Sequence, residues 1–266
     1  MDRRTFLGWI GTTAAAAAAP MHLPFETLDY QECEAFRRSV SVARSDVILD
    51  GASLKAVAAL SAKLHRARKI VGYGNFNLLG FDDLLRIGKN YSKVGALTPE
   101  EITLFESLFY ENASSYGFYG EKVLTSLTSD INARETLKIP YTGHYLYRGR
   151  AQETYEQIRR DIGDSVILTS GVRSIVKQMD LFLTKIVRSR GNVSVASRSL
   201  APAGYSYHGI GDFDVGKVGM GTRNFTSAFA HTDEFKRLMD SGYIQIRYTR
   251  ENPFGVRYEP WHIKVV

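Results

Sequence analysis

Cysteine is almost absent: Cys33 is the only one in 266 residues. One cysteine excludes an internal disulfide and a thiolate metal cluster. Membrane-length apolar runs are also missing. The longest apolar stretch, residues 6–19, falls short of the ~20 residues that a spanning helix needs. No internal repeat or low-complexity tract occurs beyond the alanine run within that stretch. Strong charge of one sign is lacking too, since 34 Lys and Arg against 28 Asp and Glu leave a formal charge of only +6. That excess is spread along the chain, and no nucleic-acid-binding motif accompanies it. Tyrosine and phenylalanine are scattered as core residues are, so nucleic acid is not an expected partner.

What is present fits a globular protein of one large domain or two modest ones. The chain is 44% hydrophobic, 23% charged and 12% aromatic. Its start, Asp2-Arg3-Arg4-Thr5-Phe6-Leu7, resembles a twin-arginine export signal. A positive start, a short apolar middle and small residues before Pro20 make residues 1–20 a cleaved signal peptide. The expectation is a mature protein that is periplasmic or otherwise exported, with no stable membrane insertion once the signal is removed. The mild positive charge suits a polyanionic cell envelope.

Beyond the signal, residues 21–140 read as a mostly helical N-terminal region. Leu54, Val57, Leu60 and Leu64 recur at helical spacing within residues 50–68, and residues 82–87 continue in the same manner. Thr98-Pro99-Glu100-Glu101 is a helix start with an N-cap threonine, proline at the first helical position and a glutamate three residues on. Gly72-Tyr73-Gly74-Asn75-Phe76 lacks the preceding strand and third glycine of a nucleotide-binding turn, and reads as a loop.

Residues 141–266 read as a second domain of mixed character. Helices are expected at 151–162, 175–188 and 233–241, the last ending at Gly242. Strands are expected at 165–169, 208–215, 243–248 and 261–265. The fold class is α+β: an antiparallel sheet flanked by helices and carrying the functional site on its strands, preceded by the helical region.

Two clusters carry chemistry. Ser206-Tyr207-His208-Gly209-Ile210-Gly211-Asp212-Phe213-Asp214 precedes Glu259-Pro260-Trp261-His262 by about fifty residues. A lone histidine is usually a hydrogen-bonded core or surface residue, but here each histidine has a carboxylate close by. A catalytic zinc takes about three protein ligands and leaves one position open. His208, Asp214 and His262 can supply those ligands, with Glu259 free to accept a proton from water. On a regular strand, positions six apart share a face, so Asp214 is taken as the ligand, with Asp212, four residues from His208 and on that same face, as its competitor.

At these residues the chain resembles zinc D-Ala-D-Ala carboxypeptidases of the VanY type and related peptidoglycan-cutting endolysins. Their signature is Ser-x-His-x-x-Gly-x-Ala-x-Asp followed by Glu-x-x-His, often Glu-x-Trp-His. Ser206, His208 and Gly211 fall in register, as do Glu259, Trp261 and His262. The aspartate departs from the pattern: Asp214 lies six residues after His208, not seven, with Val215 at the seventh place and Phe213 replacing the small residue. A one-residue bulge could absorb the offset. Ser170-Gly171-Val172-Arg173-Ser174 followed by Gln178 resembles the family's Ser-Gly-Tyr-Arg-Ser…Gln segment.

The resemblance implies that Arg173 lies over the substrate, binding its carboxylate or the oxyanion, a role suited to a guanidinium. It also implies substrate-binding roles for Ser206 and Gln178, although a serine can equally cap the turn and a helical glutamine is usually solvated. A Zn2+ cofactor and peptidoglycan stem peptides as substrate follow, with the terminal D-Ala removed. Two alternatives stay open: an endopeptidase cutting within cross-links, and a non-hydrolytic wall-binding protein. The latter would have no need of Glu259.

Overall fold

Asp50 starts the first helix by accepting the Ser53 amide on its carboxylate at 2.7 Å. In the computed structural model, which describes residues 46–266, this helix α1 runs over Gly51–Val71. The signal-like segment and residues 21–45 lie outside the described residues. Helix α1 buries Val57, Leu60, Leu64 and Ala67 along one stripe, as amphipathic spacing requires. Helix α2 spans Phe81–Asn90 and α3 spans Pro99–Tyr110. The start of α3 is a full capping box: Thr98 Oγ1 accepts the Glu101 amide at 3.2 Å, and Glu101 Oε2 accepts the Thr98 amide at 2.8 Å.

Strands β1 (Thr136–Lys138) and β2 (Tyr145–Tyr147) form a small antiparallel pair. Next come α4 (Arg150–Ile162), β3 (Val166–Ser170), α5 (Ile175–Arg188) and α6 (Val193–Ser199). Strand β4 (Phe213–Lys217), α7 (Asp233–Asp240) and β5 (His262–Ile263) complete the described chain. The sheet order β3-β4-β5 is antiparallel throughout. The fold is therefore α+β, with a helical N-terminal region, as the sequence pattern implies.

Two apolar clusters hold it together. The larger joins α1, α2 and α3 to α5 and α6, with Phe76, Phe105, Phe109 and Phe182 fully buried. The smaller lies between α4, α7 and the three-stranded sheet and includes Phe213, Phe229, Trp261 and Ile263. The glycine-rich segment after α1 holds a short 3-10 turn, Asn75–Leu78. Its Asn77 carbonyl accepts the Ser174 amide at 2.8 Å, and Asn77 Nδ2 donates to the Gly143 carbonyl at 3.1 Å. No helix among the described residues is long and apolar enough to cross a membrane.

Several strand expectations fail. His208 is not on a strand but in a 3-10 turn, Tyr207–Gly209. The amides of Ile210, Gly211 and Asp212 all converge on the Tyr207 carbonyl at 3.0–3.1 Å. Gly211, at φ +141°, takes a backbone angle that side chains disfavour. The shared-face argument for His208 and Asp214 therefore does not apply. Residues 243–248 form no strand either: Ile246 makes a single bridge to Ile263. Only His262–Ile263 of the expected 261–265 strand is regular.

Candidate metal centre

Strand register brings three polar side chains side by side. Ser170 on β3 pairs with Asp214 on β4, and Asp214 pairs with His262 on β5. Directly opposed residues in an antiparallel sheet project to the same face. A bulge at Thr169 in β3 shifts the register just before Ser170. Irregular backbone thus lies on both sides of the site, in this bulge and in the turn between His208 and Asp214.

His208 reaches the same point from its turn. Its Nδ1 lies 2.9 Å from the Gly171 carbonyl, which can only accept, so Nδ1 carries the proton and Nε2 keeps its lone pair. Gly171 must be glycine: a Cβ there would lie 1.9 Å from the Tyr145 carbonyl on β2. His262 is set by the mirror arrangement. Its Nε2 donates to Asp212 Oδ2 at 3.1 Å, leaving Nδ1 free on the other side.

His208 Nε2, Asp214 Oδ1 and His262 Nδ1 lie within 4.8 Å of one another. Asp214 Oδ1 is 3.2 Å from each of the two nitrogens, yet it is buried without a hydrogen-bond partner. A buried carboxylate oxygen facing two imidazole nitrogens is stabilised by a cation among them, a metal ion or, in its absence, the proton that raises His262. Two nitrogens and a carboxylate oxygen are a donor set that suits zinc, so these residues fit the expected ion.

Asp212, the competing ligand, is fully engaged elsewhere. It accepts from Arg247 Nε, from Arg247 Nη2 at 3.2 Å, and from the amides of Val265 and Val266 at 2.8 and 3.3 Å. Burial opposes, but the hydrogen bonds from His262, Arg247 and the Val265 amide prevail and hold its carboxyl well below the usual range. Its role is to orient the His262 ring, a carboxylate–histidine pairing that fixes the tautomer of a metal-binding imidazole.

Glu259 arrives on a turn. The His262 amide donates to the Glu259 carbonyl at 3.2 Å, with Pro260 at the corner where its fixed φ suits a turn. This closes Glu-Pro-Trp-His on itself and places Glu259 Oε2 3.8 Å from His262 Nδ1. Burial raises the Glu259 carboxyl to about 7, although nearby His262 and Arg257 oppose the rise. A proton acceptor works best near the operating pH.

Other groups are tuned as well. Burial, then the charge of Arg173, lowers His208 to about 4. His262 is raised to about 9, because Asp212 and Asp214 outweigh its burial. Asp214 lies well below its ordinary value: burial opposes, but His208 and Arg173 prevail.

Arg173 donates from Nε to Ser170 Oγ at 2.8 Å and from Nη2 to Asp214 Oδ2 at 2.7 Å. Gln178 is not solvated. It is buried in the first turns of α5, with Nε2 donating to the Ala201 carbonyl at 2.6 Å and Oε1 unpartnered. Ser206 is buried before the His208 turn and makes no side-chain capping bond. All seven sequence-derived site residues line one cavity of about 340 Å3.

Sequence reasoning missed several neighbours. Tyr248 stacks edge-on against His262 with ring centroids 4.9 Å apart. His144 and Lys177 line the cavity, and Arg247 holds Asp212 while lying 3.5 Å over the Tyr207 ring. Only Asp212 was visible beforehand, through its proximity to His208 in the sequence.

Residues 147–266 match the family model of VanY, D-alanyl-D-alanine carboxypeptidase, a little under half of the chain. Similar solved structures include the LdcB LD-carboxypeptidase, at 24% identity and a TM-score of 0.41, with 49% of this chain and 63% of that one covered. The chain thus spans less than two thirds of that protein. A vancomycin-resistance D,D-pentapeptidase VanY mutant in complex with Zn(II) is 20% identical, with a TM-score of 0.40 and coverage of 55% and 87%. VanYB in complex with D-alanine-D-alanine is also 20% identical, with a TM-score of 0.41 and coverage of 56% and 84%. No curated protein matches the chain.

Proposed function

We propose, from the premise that residues 147–266 are VanY-like, that the protein is a zinc-dependent D-alanyl-D-alanine carboxypeptidase trimming peptidoglycan stem peptides. The observation that carries this reading is the convergence of His208 Nε2, Asp214 Oδ1 and His262 Nδ1 beside a buried glutamate. Zinc, when bound, supplies Lewis acidity that makes water more acidic and a carbonyl more electrophilic.

The chain's residues divide the remaining work. Glu259, raised by burial to about 7, takes a proton at its carboxylate from the attacking water and returns it to the leaving amine. Arg173 offers a fixed guanidinium to negative charge on the substrate, with Ser170 and Asp214 holding its plane. Ser206 and Gln178 face the cavity as hydrogen-bonding groups for the peptide backbone. The D-configuration and the peptidoglycan origin of the substrate rest on the family match alone. The signal-like residues 1–20 support an exported location, which suits a wall substrate.

Digestion of a stem pentapeptide and of cross-linked peptide dimers, read by mass spectrometry, tests the proposal. Loss of one D-Ala from the pentapeptide is expected. Cleavage confined to the cross-link would replace the reading with an endopeptidase. No cleavage of either by zinc-loaded protein would leave a wall-binding protein.

A further inference from the structure

Lys177 stands in the first turn of α5, four residues after Arg173, and lines the same cavity as the metal-ligand triad and Glu259. It is half-buried, near the face of Phe76 at 6.0 Å. Its amide donates to Ser174 Oγ at 3.1 Å, but among the described residues its ammonium has no hydrogen-bond partner and no carboxylate at ion-pair distance. The acid whose charge it feels, Asp180, is already held by Arg68 Nη1 at 2.8 Å and faces His65 Nε2 at 3.1 Å. Two arginines line the cavity as well: Arg173 is committed through Nε and Nη2 to Ser170 and Asp214, and Arg257 donates from Nη2 to the Phe225 carbonyl at 3.0 Å.

A half-buried ammonium without a counter-ion carries a desolvation cost that an incoming anion removes. Burial lowers Lys177 to about 8, consistent with that cost. The cavity, at about 340 Å3, is at the small end of ligand sites and suits a terminal residue better than a continuing chain. A larger groove of about 1140 Å3 adjoins it, sharing His144, Thr169 and Phe225, and gives the body of a peptide a way out.

We infer that Lys177 is a specificity-determining residue that pairs with the free C-terminal carboxylate of the substrate peptide, holding the terminal residue inside the cavity while the preceding chain leaves along the adjoining groove. This rests on the peptidase reading and deepens it, because an ammonium dedicated to a chain end selects trimming over internal cleavage.

Binding separates this inference from hydrolysis. Zinc-loaded Glu259→Gln protein is titrated by calorimetry with N-acetyl-D-Ala-D-Ala and with its C-terminal amide. The acid should bind at least ten times more tightly than the amide. Adding Lys177→Met should reduce that preference to about twofold or less, chiefly by weakening the acid, and Lys177→Arg should restore most of it. An unchanged acid preference in Lys177→Met, or no binding of the acid at all, would overturn the inference. If the preference behaves as expected but the unsubstituted protein hydrolyses neither peptide, the hydrolytic reading fails and the role of Lys177 stands.

Discussion

Replacing Glu259 with glutamine should make the metal-free protein more stable while abolishing its turnover. The Glu259 side chain is only 9% exposed, and burial raises its carboxyl from 4.5 to about 7. The folded state therefore holds this proton more tightly than the unfolded state. The resulting stability is fully present below about 4.5 and is lost as pH climbs to about 7. At roughly 1.36 kcal/mol per pH unit, that gap corresponds to about 3 kcal/mol. Glutamine keeps the shape without the charge and escapes this loss. In chelator at pH 8, Glu259→Gln should unfold about 6–12 °C higher than the unsubstituted protein, by the usual conversion for chains of this size. At pH 4.5 the two should nearly coincide. Turnover of the zinc-loaded variant should fall by roughly 10²–10⁴. Scanning calorimetry at both pH values checks the stability part. A variant no more stable at pH 8, or equally stabilised at both values, would refute the account of a carboxylate strained by its burial.

Other expectations concern the metal and export. Purified protein should carry about one zinc per chain and lose activity in chelator; metal analysis that finds none, with activity intact, would remove the zinc reading. His208→Ala and His262→Ala should lose the ion, whereas Glu259→Ala should retain it. Asp214→Ala should abolish detectable zinc binding, while Asp212→Asn, which only loosens the His262 ring, should weaken it by about 10–100-fold; the reverse order would mean that Asp212 is the ligand. Changing Arg3 and Arg4 together to lysine preserves charge but removes the guanidinium pair, so the precursor should accumulate inside the cell. Normal processing of that double variant would indicate the general secretory route.

Local signals in the sequence located the helices well. The Thr98 start is visible because its cap uses atoms within three residues, whereas the Asp50 cap shows only as the edge of an apolar-periodic span. The strands were harder, because their partners are distant. Residues 243–248 alternate as a strand should, but Arg247 turns to Asp212 and Tyr248 packs on His262. Tertiary contacts outweighed local pattern there. Asp214 does lie beside His208, but through the register of β4 against Ser170 and His262, not through shared strand parity. Lys177 carried no sequence signal: a lysine on a helix reads as solvated until the cavity around it is seen.

Helix α5 belongs to two neighbourhoods at once. Its inward face is sealed by α1 in the larger apolar cluster, its start is pinned by the Asn77 carbonyl, and its first turns bear Lys177 and Gln178 beside the metal centre. The helical region preceding the VanY-like segment is thus a foundation for that segment and not a detachable appendage. Cutting the chain near residue 147 would strip one side from α5 and expose Val176, Met179 and Leu183 to water. Enzyme engineers seeking a minimal catalytic fragment should retain α1, and substitutions at Leu60 or Leu64 should tilt substrate affinity from well outside the cavity.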